Sequence, residues 1–320
     1  MRNFFYLPFL ACLLAGCQER QTCRMAEQVT VKNGNVYYYI KGLEKPFNVL
    51  FLSDTHFTIE DERGKEFYSY SRRMGGDAVK PENYGKSNGR EQAFSASLDK
   101  AQKAGSELVI LGGDIINFPS LASAEYIKSL LDKSGLNWVY VAGNHDWHYE
   151  GESGDAFTQR EKWIHSNLKV LYQGHNPMYH SLVIHDINFV TIDNSLFEIT
   201  EEQLAFFREQ LNRGLPIILS MHIPVYLPGH NIDYGCGHPD WNSKNDIYYE
   251  IERREPWPEK GFTETTYQFR DLVLNSPEVI GIYAGHTHEE VIDFFNDKIQ
   301  YVAGANFNSK DIIIHFVPAE

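Results

Sequence analysis

Apolar runs recur along the chain, and five of them stop at polar residues of a narrow set. "FNVLFLSDTH" is apolar from Phe47 to Leu52 and stops at Ser53-Asp54. "ELVILGGD" stops at Asp114, and "NWVYVAGNHD" at Asn144-His145-Asp146. "PIILSMHIP" carries His222, and "VIGIYAGHTH" ends in His286 and His288. Near-continuous runs of this length predict strands buried on both faces. Helical patterns lie between several of them. One covers Arg90 to Ala104 and is stopped by Gly105; another covers Ser123 to Lys133. Thr200-Glu201-Glu202-Gln203 is a capping box, opening a helix that ends near Gly214. Three hairpins are expected: around Asn33-Gly34, in "MYHSLVIHDINFVTID", and in "VIDFFNDKIQYVAGA" with its turn at Asn296-Asp297. "DIIIHFVP" is a last strand. The succession predicts an α/β layered domain with mixed sheets.

Two stretches fit neither period. Residues 57–89 and 228–261 are long, polar and aromatic, and both leave the chain beside polar strand ends. Loops of that length in a compact domain are usually functional or disordered, and these are expected to wall a pocket. The N-terminus is a different object. Arg2 precedes an apolar stretch from Phe4 to Ala15, shorter than the roughly 20 residues of a membrane span, so it reads as an export signal. Leu14-Ala15-Gly16-Cys17 resembles the bacterial lipobox. That resemblance implies cleavage before Cys17, a lipid on its thiol, and attachment to the membrane through the lipid anchor only. Residues 18–26 then form a polar tether. The localisation expected is the bacterial cell envelope, on its periplasmic or its outer face.

Composition narrows the partners. With 320 residues and 42% hydrophobic content, the chain can bury a sizeable core. A formal charge of −14 argues against a nucleic-acid duplex or a polybasic membrane contact, while leaving a small anionic substrate possible. Of four cysteines, Cys12 and Cys17 belong to the signal and lipobox, leaving Cys23 and Cys236 with no CxxC spacing.

The polar strand ends carry the chemistry. Open α/β sheets bind ligands at the carboxyl ends of their strands. In a strand-like extension, residues i and i+2 share a face, so Asp54 with His56, and His286 with His288, are expected to converge that way. Buried carboxylates without cations cost several kcal/mol per ion. A donor set of Asp, His and Asn without sulfur suits two divalent ions such as Mn, Zn or Fe. D-x-H alone is a weak signal, since it recurs as Asp146-Trp147-His148. The order D-x-H, G-D, G-N-H-D, lone His, G-H-x-H is a strong one.

That order resembles the calcineurin-like metallophosphoesterase superfamily, from about Phe47 to Asn306. The resemblance implies a four-layer α/β/β/α sandwich over residues 27–320, preceded by the signal peptide (1–16) and tether (17–26), with insertions at about 57–89 and 228–261. It implies Asp54, His56 and His288 on one metal, Asn144, His222 and His286 on the other, and Asp114 bridging both. His145 would stand over the substrate as a catalytic group, with Asp146 fixing its tautomer. Hydroxide would attack in line at phosphorus, in a small phosphodiester or phosphomonoester. Asn117, where a sister group has a metal-binding tyrosine, is a departure expected to alter a loop rather than a ligand.

The remaining candidates have plainer readings. His148, His165, His175, His180, His185 and His315 are expected to be structural, and Arg72 and Arg73 an exposed pair. His230 and His238 lie in the second insertion and could line the pocket; Tyr234, Trp241 and Trp257 could stack on a base or sugar, with packing of the insertion on itself the default. The alternative function is a metal-bound, inactive lipoprotein that presents its aromatic loops to a protein partner or glycan.

Overall fold

A computed structural model of the chain describes residues 26–242, 244–245 and 261–320. Cys17, Cys23, Trp257, the export signal and most of the tether lie outside these residues. Twelve strands are described: β1 (Ala26–Lys32), β2 (Asn35–Ile40), β3 (Phe47–Leu52), β4 (Ser106–Leu111), β5 (Trp138–Tyr140), β6 (Tyr179–Ile184), β7 (Ile187–Ile192), β8 (Ile217–Ser220), β9 (Val279–Ala284), β10 (Val291–Phe295), β11 (Lys298–Val302) and β12 (Ile312–Pro318). They form two six-stranded mixed sheets, ordered β1-β2-β12-β3-β4-β5 and β10-β11-β9-β8-β7-β6. The three expected hairpins form, with turns at Asn33-Gly34, His185-Asp186 and Asn296-Asp297. Strands β3, β4 and β5 run parallel in one sheet, and β7, β8, β9 and β11 in the other.

Side-chain alternation decides the layers. Val49 and Phe51 of β3 face the other sheet, where they join Ile218, Tyr283 and Ile299 in one buried cluster. Leu50 and Leu52 face the helices and join a second, larger cluster. The helices are α1 (Tyr68–Gly75), α2 (Glu91–Ala104), α3 (Leu121–Ser134), α4 (Ala156–Ile164), α5 (Glu201–Asn212) and α6 (Glu264–Asn275). Those covering the first sheet include α2, which packs on β3 and β4; α5 packs on β6, β7 and α6. The result is the expected helix–sheet–sheet–helix sandwich. Thr200 caps α5 through the predicted box, its side chain accepting from Gln203 N while the Gln203 side chain accepts from Thr200 N.

The first insertion is not a bare loop. It folds as α1 between short 3₁₀ turns, and its aromatics pack on the core: Phe57 stacks on Tyr126, and Phe67 on Tyr149. In the second, Trp241 is buried between Phe197 and Phe262. Tyr234 donates to Asp293 at 2.6 Å, and His230 binds the same carboxylate at 2.9 Å. These rings thus pack mainly on neighbours outside the insertion, while His230 and Tyr234 also stack on each other. Cys236 is a free, buried thiol, pushed up to about 12 chiefly by burial.

Candidate metal centre

The loops after β3, β4, β5, β8 and β9 meet at one end of the sandwich. Their side chains come from both sheets, and two donor groups illustrate the arrangement. Asp54, His56 and His288 bring one donor atom each within 4.8 Å of one another, as do Asp54, Asp114 and His222. His288 Nε2 lies 3.0 Å from His56 Nε2 and 3.4 Å from Asp54 Oδ1. His222 Nε2 lies 3.2 Å from Asp114 Oδ2, and His286 Nδ1 lies 3.1 Å from Asn144 Oδ1. All seven predicted ligands are thus gathered, with Asp114 between the two sets.

The means of convergence differs from the one expected. The strands end before the ligands, β3 at Leu52 and β9 at Ala284. Beyond them, Asp54, His56, Asp114, His286 and His288 all have positive φ, between 47° and 75°. These residues are not extended, so the two-residue period does not aim them. Left-handed backbone does, at roughly 1 kcal/mol or more for each non-glycine residue. Hydrogen bonds between loops hold it there. Asp54 N donates to Gly113 O at 3.0 Å, His56 N to Asp114 O at 2.8 Å, and His286 N to Asp54 Oδ2 at 3.1 Å. The glycines of the motifs permit this closeness. A side chain at Gly143 would strike the Asp114 carboxylate, and one at Gly285 would strike Ser53 and Asp54.

Outer hydrogen bonds fix which ring nitrogen faces inward. Asn117 Nδ2 donates to Met74 O at 2.8 Å, so its Oδ1 accepts from His56 Nδ1 at 3.1 Å. His222 Nδ1 donates to Gly112 O at 2.9 Å. In both rings Nε2 is left for the cluster, and His222 Nε2 is buried without a hydrogen-bond partner. Asn117 therefore does more than reshape a loop, and its sequence signal was its position three residues after Asp114. Asn194 was also missed: it accepts from His222 N and Ile223 N and donates to Ile223 O, setting the end of β8. Its only signal was a polar residue just past an apolar strand.

Asp146 is tied to the backbone around it. One of its oxygens accepts from Gly143 N at 2.7 Å and Asp114 N at 2.8 Å, the other from Ile116 N at 2.9 Å. Both oxygens thus shape the turns that present Asp114 and Asn144. A carboxylate can satisfy three backbone donors at once, which explains why this turn selects one. His145 is half-buried, its ring 4.6 Å from that of His56, and its N–H donates to Asp114 Oδ1 at 2.8 Å. His148 is structural, donating from Nδ1 to Asn144 O at 2.5 Å. Arg72 and Arg73 are exposed on α1.

The electrostatics describe a sink for positive charge. Burial opposes ionisation of Asp54, but hydrogen bonds from His288 and His56 and the His222 charge outweigh it and hold the carboxyl below its ordinary range. Burial likewise opposes ionisation of Asp114; the His222, His145 and His56 charges keep it well below. His222 is raised to about 10, since the Asp114 carboxylate overcomes the burial that disfavours its charge. Asp146 is pushed up to about 8 by burial and by the Asp114 charge, against the pull of its backbone donors. Protons are what protein groups alone can supply to this space.

Divalent ions fit it better. Two donors about 2.1 Å from one ion lie about 3.0 Å apart at a right angle and about 3.4 Å apart at the tetrahedral angle. The spacings of 3.0, 3.1, 3.2 and 3.4 Å across the cluster fall in that interval. The donors are nitrogen and oxygen, a set that divalent transition ions accept.

A family model described as calcineurin-like phosphoesterase matches residues 47–290. By shape the chain is similar to a dimetal phosphatase from Danio rerio, at 12% identity and a TM-score of 0.50, over 82% of this chain and 89% of that one. It is also similar to the TT1561 protein of Thermus thermophilus, at 10% identity and a TM-score of 0.45, over 82% and 90% of the two chains. At such identities the likeness to solved structures shows the fold alone. No curated protein sequence matches it.

Proposed function

This chain belongs to the calcineurin-like phosphoesterase family, metal-dependent hydrolases of phosphoester bonds, and on that premise we propose how its own residues serve the reaction. Asp54, His56 and His288 would hold one divalent cation and Asn144, His222 and His286 the other, with Asp114 placed between the two sets. The donor spacing of 3.0–3.4 Å around two buried carboxylates is the observation that supports this reading. When bound, such a pair lowers the pKa of an attacking water and neutralises charge on the phosphoryl oxygens. Asn117 and the Gly112 carbonyl keep the His56 and His222 rings aimed inward. Asp146 is a positioning residue for the Asp114 and Gly143 turns. His145, half-buried beside His56, gives a proton to the departing oxygen as water enters in line on the opposite side of phosphorus. The substrate is a small phosphodiester or phosphomonoester.

The test uses protein loaded with Mn, assayed on bis(p-nitrophenyl) phosphate and p-nitrophenyl phosphate. Wild type is expected to turn over at least one. His145→Ala is expected to keep two metals per chain and lose on the order of 10²- to 10⁴-fold in kcat. Full metal loading with no turnover of any phosphoester sinks the proposal.

The proposal extends to location: the bacterial cell envelope, held by a lipid on Cys17. The Arg2, apolar and Cys17 sequence supports it. Fatty-acid labelling in the native host, abolished in Cys17→Ser, is the expected result; equal labelling of both proteins overturns it. No helix among the described residues is long and apolar enough to cross a membrane.

A further inference from the structure

Arg90 closes the first insertion, immediately before α2. One of its guanidinium nitrogens, Nη1, donates to the carbonyl of His56. Its Cζ lies 5.0 Å from the centroid of the Phe307 ring. That same ring lies 5.8 Å from the His56 ring and 5.3 Å from the His288 ring. Phe307 is itself held by the ligand loop, its N–H donating to Asp54 O at 3.3 Å. Guanidinium, phenyl ring and two candidate metal ligands therefore form one continuous wall.

Among the described residues, the guanidinium has no acid beside it. Arg63 pairs with Asp61 and Glu125 at 2.6 and 2.7 Å, and buried Arg160 with Asp193 at 2.6 Å. Among the described residues, Arg90 has no carboxylate within ion-pair distance; the carbonyl of His56 and the face of Phe307 are its contacts. In a chain of formal charge −14, a half-buried arginine left without an acid is a position kept for some other anion. A guanidinium carries five N–H donors in one plane, and the His56 carbonyl uses one. Stacking on Phe307 limits how that plane can turn.

We propose that Arg90 reads the charge on the substrate's phosphoryl group and makes the site prefer phosphomonoesters to phosphodiesters. This rests on the hydrolase reading above. A monoester carries close to two negative charges at neutral pH and a diester carries one. An unpaired guanidinium beside the phosphoryl site rewards the second charge through charge-assisted hydrogen bonds.

The experiment compares wild type, Arg90→Gln and Arg90→Lys, each loaded with Mn and checked for metal content. The readouts are kcat and KM on p-nitrophenyl phosphate and bis(p-nitrophenyl) phosphate, and calorimetric binding of inorganic phosphate. Arg90→Gln is expected to shift the monoester-to-diester ratio of kcat/KM by at least about tenfold toward the diester, mainly through KM, and to weaken phosphate binding by a similar factor. Arg90→Lys is expected to keep most of the preference, because the charge carries it. Three results overturn the inference: an unchanged ratio in Arg90→Gln, unchanged phosphate binding, or loss of metal, which would mark Arg90 as a support for the His56 loop. A wild type that binds phosphate but cleaves neither ester refutes the hydrolase reading and leaves Arg90 to be judged by calorimetry alone.

Discussion

The space between the sheets and the mouth at their ends are built on opposite rules. Between the sheets, Val49, Phe51, Tyr283 and Phe316 are buried, and regular pleating decides which of them meet. At the mouth, Asp54, Asp114 and Asp146 are as deeply buried, but as carboxyl groups, on loops where several ligands have positive φ. Burial stabilises the first region through apolar area. In the second it opposes every charge present, and histidines, backbone donors and cations must offset it. The difference teaches that stability and function are stored in separate places, so substitutions should separate them.

The widest separation is expected for Asp114→Asn. It should lower kcat/KM by on the order of 10³-fold or more, because the carboxylate between both ligand sets is lost. It should lower the melting temperature of chelator-treated protein only modestly, through loss of the carboxylate that His222, His145 and His56 favour in the folded state. Elemental analysis and calorimetry check both halves; a large loss of stability in the chelated state would break the comparison. Phe316→Ala is the converse. Its ring stacks on Phe47 at 4.6 Å and meets Phe189 at 5.6 Å, at the end of β3 far from the ligands. A loss of about 3–5 kcal/mol in urea unfolding is expected, with two metals still bound per folded chain. Asn117→Ala lies between the regions: with the His56 ring released, metal affinity is expected to fall about 10- to 100-fold, as read by chelator competition.

The smallest effect concerns pH. Glu60 is buried on the helix side, and burial raises its carboxyl from 4.5 to about 7. The folded state therefore favours the neutral form. Its contribution is fully present below about 4.5 and is lost as pH rises through about 7. Glu60→Gln, neutral throughout, should match wild type near pH 4.5 and exceed it above pH 7 by on the order of 2 kcal/mol. An equal gap at both pH values would contradict this.

Legibility followed the same division. Strands such as β3 and β9, the box at Thr200 and the turn at Asn33-Gly34 were readable because period and cap chemistry are local. The ligand types were readable because each follows an apolar run. What the chain did not disclose was long-range: that Asn117 reaches back to His56, that Asp146 serves three backbone donors, that Arg90 returns to the His56 carbonyl. Helix α1 was hidden as well, since its stretch is short, strongly polar on average and followed by Gly76. Backbone handedness at Asp54 and His288 was not readable, since Asp and His are enriched at positive φ yet mostly adopt other conformations.

The candidate ligands are drawn from both sheets: Asp54, His56, Asp114 and Asn144 from one, His222, His286 and His288 from the other. Whatever bridges them is then a clasp across the open edge of the sandwich. Occupancy becomes a mechanical variable, and slow amide exchange in β3 and β9 should rise and fall together with it, as two covers of a book move on one latch.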